Sequence, residues 1–89
     1  MPEVARFFGI IVRMYAEAGE PHHRPHFHAY AGDATAVVAI DDVELIAGGI
    51  SRRQERLLLA WTEMHRDELI ANWSRLQAGR PPVPVDPLR

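Results

Sequence analysis

Hydrophobic positions alternate through the first half of the chain and recur every three or four residues in the second. Residues 7–15 (FFGIIVRMY) are rich in β-branched and aromatic side chains and predict a first strand. Alternation puts Phe8, Ile10, Val12 and Met14 on one wholly apolar face, expected to meet the core. Phe7, Ile11, Arg13 and Tyr15 share the other face, where Arg13 and Tyr15 meet solvent or a site. A loop follows over 16–25, marked by Gly19, Pro21 and Pro25. HFHAYA (26–31), ATAVVAI (34–40) and VELIA (43–47) predict further strands, separated by turns at Gly32-Asp33 and Asp41-Asp42 and closed by Gly48-Gly49. Such short turns favour antiparallel neighbours, because parallel strands need long crossovers.

From Ser51 the period changes. Ser51-x-x-Gln54 fits a capping box, in which the Ser side chain accepts from an early backbone N–H and the Gln reaches back. Leu58, Trp61, His65, Leu69, Trp73 and Leu76 recur at steps of three and four and form one stripe, flanked by Leu57 and Met64. Gly79 stands where a left-handed C-cap is expected. The span 52–78 is long for one helix in so small a domain. A bend or break is expected near His65-Arg66-Asp67, with Asp67 able to cap a second helix. The pattern therefore predicts one α+β domain over 1–80: an antiparallel sheet of three or four strands (7–47), then a C-terminal helical hairpin or bent long helix (51–78) covering one sheet face. Residues 81–89, four of them proline, form a separate tail.

Composition changes this picture only at the margins. A chain of 89 residues, 47% hydrophobic and 25% charged, is one ordinary globular domain. With no cysteine it has neither disulfides nor a thiol nucleophile. All ten basic residues are Arg, which excludes a catalytic Lys. A net charge of -2 gives no general pull towards nucleic acid or anionic membrane. No segment has the roughly 20 apolar residues that a spanning helix needs. The run FFGIIV is too short for a signal-peptide core, so a cytoplasmic protein is expected.

The densest candidate chemistry is His22-His23-Arg24-Pro25-His26-Phe27-His28, which holds four of the five histidines. On a strand, His26 and His28 point to one face, roughly 7 Å apart at Cα. Such a pair can act as general acid and base near neutral pH. In an alternative reading it binds a divalent metal such as zinc, with His22 or His23 swinging in as a third ligand. In a purely structural reading the pair bonds to backbone and to Tyr30. His65 interrupts the apolar stripe and would approach the pair only if all three share the core-facing side, which requires Phe27 to face out. Otherwise it is a half-buried His bonded locally. Arg52, Arg53, Arg56 and Arg66 could form a basic patch for phosphate or RNA backbone, although Glu55, Glu63, Asp67 and Glu68 among them favour a solvated, salt-bridged face. Trp61 and Trp73 read as core. There is no Gly-rich phosphate loop and no nucleophile elbow.

The blocks RFFGIIVRMY (6–15), RPHFHAYAGDATA (24–36) and SRRQERLLLAWTEMHRDELIANW (51–73) resemble the bacterial domain-of-unknown-function family 4160 over nearly the whole chain. The family's P-P-H-F-H signature falls on Pro25, His26, Phe27 and His28, with Arg24 in place of its first proline. Its helical motif falls on Arg52, Arg53, Trp61, His65, Arg66, Asp67, Glu68 and Trp73, with Ser51 where the family often has Pro. The tail PPVPVDPL replaces a more basic family ending. The resemblance brings no catalytic assignment. It implies the toxin-like component of a type II toxin–antitoxin pair, held in check by a small cognate protein encoded nearby. The expected site combines His26 and His28 with His65 and Arg13, acting on nucleic acid or nucleotides, with Arg52, Arg53 and Tyr30 as binding residues. The contrasting expectations are a non-enzymatic module that docks and regulates a partner, with the proline tail or a sheet edge as docking surface, and a small metal-carrying protein.

Overall fold

The computed structural model describes residues 2–15 and 24–89. Five strands, β1 (Glu3–Phe7), β2 (Ile10–Arg13), β3 (His26–Ala31), β4 (Ala34–Ala39) and β5 (Glu44–Gly48), form one antiparallel sheet in the order β1-β2-β3-β4-β5. Two helices follow, α1 (Arg52–Met64) and α2 (Arg66–Gln77). The domain is α+β as expected, but the sheet has one strand more than the pattern suggested.

The extra strand comes from a hairpin inside the predicted first strand. Phe7 pairs with Ile10, leaving Phe8-Gly9 as a two-residue loop. Both loop residues have positive φ, 47° and 77°, the signs of a type I′ turn. The turn reverses the parity of everything before it. Phe7 is buried against Trp61, at 5.0 Å between ring centroids, whereas Phe8 is exposed. Ile10, Val12 and Met14 do enter the core.

The helices cover the face carrying Ala5, Phe7, Ile10, Val12, Phe27, Ala29, Ala36 and Val38, all buried. Leu58, Trp61, Leu69, Trp73 and Leu76 complete this core. The Ser51 Oγ accepts from the Gln54 backbone N–H at 3.2 Å and donates to the Gln54 side-chain carbonyl at 3.0 Å. The Gln54 amide also donates to the Phe8 carbonyl at 3.2 Å, tying the start of α1 to the β1–β2 turn. The helical half breaks at His65, which ends α1 and precedes α2; Asp67 lies in the first turn of α2 and not at its cap. Met64 is well exposed rather than flanking the core. After α2, Gly79 (φ 77°) closes a Schellman motif: the Arg80 N–H reaches the Arg75 carbonyl at 2.8 Å and the Gly79 N–H the Leu76 carbonyl at 3.0 Å.

The proline-rich tail packs onto this body. The Val85 N–H donates to the Val4 carbonyl on the outer edge of β1, and the Trp61 indole N–H donates to the Asp86 carbonyl at 2.7 Å. The side-chain amide of Asn72 pairs with both backbone groups of Val83, at 2.8 and 2.7 Å. Val85 is buried, and Leu88 packs on the core.

Candidate functional site

Strand register decides which side chains meet. His28 on β3 lies opposite Arg13 on β2 and Val37 on β4, and Tyr30 lies opposite Ile11 and Thr35. Phe27 and Ala29 point into the core, so His26, His28 and Tyr30 occupy the opposite face of the sheet. All three are half-buried, as are Arg13 and Tyr15 beside them.

The rings of this face touch one another. Tyr15 stacks on His28 at 4.8 Å with 19° between planes, and His26 meets His28 edge-on at 5.4 Å. The Arg13 guanidinium sits 5.7 Å from the Tyr30 ring centroid, a cation–π arrangement. His26 is fixed twice. Its ring lies 5.0 Å from that of Trp73 on α2, and its Nδ1 is 2.8 Å from the Arg24 carbonyl oxygen. A carbonyl only accepts, so Nδ1 carries the proton and the basic lone pair of the neutral ring belongs to Nε2.

The approach to β3 is clamped. Arg24 Nε donates to Asp41 at 3.1 Å and its terminal nitrogen to Asp42 at 2.6 Å. The hydrogen bond with Asp41 pushes the Arg24 pKa above its ordinary value. Arg66, at the start of α2, donates to the Asp41 carbonyl at 3.1 Å, and the Ile40 N–H donates to the Pro25 carbonyl at 2.9 Å. These bonds hold the β4–β5 turn with Val43 at φ 52°, a conformation β-branched residues resist. Asp41-Asp42 is thus a turn, as expected, and Arg24 is occupied in holding it.

The remaining sequence candidates lie elsewhere. Because Phe27 faces in, the condition for His65 to join the strand pair fails. His65 rests on Trp61 at 5.6 Å, and its Nδ1 is 2.7 Å from the Glu68 carboxylate. With Glu63, Arg66 and Glu68 it lines a polar hollow of about 460 Å³ at the helix junction. Trp73, eight residues on and about 12 Å along the helix, takes the contact with His26 instead. Arg52 and Arg53 are exposed in the first turn of α1, on the layer that covers the opposite face. His22 and His23 lie outside the described residues. Among the described residues, no group of three His, Asp or Glu is gathered as a metal site. His26 and His28 could supply two ligands of such a site.

Parity places Tyr15 with Arg13 on the face that meets solvent or a site, but nothing in the sequence marks its stacking on His28. Asn72 carried no signal, because its partner is the backbone of the tail.

The molecule is a small α+β protein with helices on one sheet face and a cluster of His, Tyr and Arg side chains on the other. It belongs to the family described as Domain of unknown function (DUF4160), whose sequence model matches residues 9–74. The match takes in Arg13, His26, His28, Tyr30 and both helix starts, and leaves out the tail. No curated protein and no solved structure matches the chain. No helix among the described residues is long and apolar enough to cross a membrane.

Proposed function

We propose that the protein is the toxin-like component of a type II toxin–antitoxin module and acts on phosphate esters of nucleic acids or nucleotides. The observation that carries this reading is the His26–His28 pair, 5.4 Å apart, on the sheet face opposite the helices with Arg13 beside it. Two neighbouring imidazoles can serve one reacting group as general base and general acid. An arginine one strand away supplies a fixed positive charge for a phosphate oxygen. The Arg24 carbonyl fixes the His26 tautomer and leaves Nε2 as its basic nitrogen. The partner in this reading is a small cognate protein encoded nearby, and the action is cytoplasmic.

The reading is tested by inducing the chain alone in a bacterial host, and again together with the small neighbouring reading frame. Growth should stop in the first case and continue in the second. Unimpeded growth with abundant folded protein in the first case would contradict it. A second reading, a non-enzymatic docking module, is favoured by the outer strand β5, where Glu44, Ile46 and Ala47 are exposed on a bulged edge. Under it, substitutions at the two histidines would leave partner capture intact.

A further inference from the structure

Resting on that reading, we infer that the ligand of the histidine-bearing sheet face is single-stranded RNA, cleaved by internal transesterification. Three observations converge. The face offers π surfaces, Tyr30 on one row and the Tyr15–His28 stack on the next, two residues and about 7 Å along β3. Aromatic side chains on a sheet face can stack with unpaired bases and cannot reach bases inside a duplex. Its formal charges balance, in a molecule whose net charge is -2. Arg6 and Arg13 lie on this face, while its acidic residues among the described ones, Glu3 and Glu44, sit on the two edge strands. Glu3 is already held by Arg6 at 2.8 Å, and that hydrogen bond lowers its pKa. With so few cations, binding has to lean on stacking, which again selects single strands over duplexes.

The histidine pair then defines the bond. One imidazole takes the proton of a ribose 2′-hydroxyl, and the 2′-oxygen attacks the adjacent phosphorus. The P–O5′ bond breaks as the other imidazolium protonates the leaving 5′-oxygen. The products are a 2′,3′-cyclic phosphate and a 5′-hydroxyl. The balance needs no further reactant, and DNA, lacking the 2′-hydroxyl, can bind but cannot be cut.

The test uses the full chain in buffer with a chelator, and a fluorescent 12-nucleotide RNA as single strand, as duplex, and as its DNA counterpart. Fluorescence anisotropy should show the single-stranded RNA binding at least tenfold more tightly than the duplex. Mass spectrometry should find 2′,3′-cyclic phosphate ends. Tyr30→Leu should weaken binding about tenfold, in the range of one lost base stack. Arg13→Gln should lower the salt slope by about one. His26→Ala should abolish cutting and change affinity less than threefold. Arg80→Ala, exposed beyond the end of α2, should change nothing. Circular dichroism confirms that each variant is folded; if Tyr30→Leu is not, Tyr30→Phe with the Arg13→Gln data decides. No binding of single-stranded RNA by the folded native chain, or equal binding of duplex, overturns the inference. If growth arrest still depends on His26 and His28, the toxin-like reading survives that failure. RNA cleavage without growth arrest would do the reverse.

Discussion

Gly48 shows how a single position fixes local geometry. It ends β5 at φ 69°, and a Cβ added there would run into the Thr35 carbonyl, while the next N–H, that of Gly49, bonds to that same oxygen at 2.8 Å. Gly48→Ala meets both a left-handed backbone and a collision. It should cost about 2 kcal/mol or more in urea unfolding. Asn72 is the opposite case, a buried polar group fully paired with the Val83 backbone. Asn72→Leu removes two hydrogen bonds and leaves the Val83 groups to water or to nothing, a loss of about 2–3 kcal/mol by the same measurement. The sequence distinguished these residues unequally. Gly48-Gly49 reads as a chain reversal on sight. Asn72 looks like any polar residue on a helix until the tail is docked. The face of the histidines is an intermediate case: alternation put His26 and His28 on one side, but only Phe27's burial against Trp61 decides which side.

Among the elements, local chemistry made β3, β4 and the helix ends legible. The Gly32 turn, the Ser51 cap and the Gly79 Schellman motif each carry the residue that their backbone demands. The β1–β2 hairpin was hidden because its one turn residue, Gly9, sits inside an apolar run and Phe8 fills the other positive-φ position, where Asn or Asp is usual. Its turn is held from outside, by the Gln54 amide on the Phe8 carbonyl. Phe8→Asn should therefore stabilise the fold, by about 1 kcal/mol, since Asn accepts the left-handed region and Phe8 packs little; thermal unfolding checks this. The Ser51 cap has the opposite prediction. Ser51→Ala should cost about 1 kcal/mol and loosen the β1–β2 turn, through loss of the Gln54 position. Amide hydrogen exchange at residues 8–10 reports the second effect. The tail was read as a separate segment because prolines describe no periodicity. Its polar attachment uses backbone groups, which sequence does not mark, and only Val85 and Leu88 bring it apolar contacts with the core.

For the molecule as a whole, the arrangement of the described residues is asymmetric: one sheet face is buried under the helices and tail, and the other carries half-buried imidazoles, phenols and an arginine in register. The core accounts for the helical motif, since Trp61, Leu69 and Trp73 pack and Arg66 ties α2 to the β4–β5 turn. It accounts for His26 only through the contact with Trp73 and for His28 not at all, and neither closes a turn, which is the reason to assign the pair the chemistry. The most direct measurement compares growth after induction of the native chain with growth after induction of the His26→Ala/His28→Ala variant, each shown to be folded and equally abundant. Arrest by the native chain and normal growth with the variant is the predicted result. Equal arrest by both would remove the function from the histidine-bearing face of the sheet.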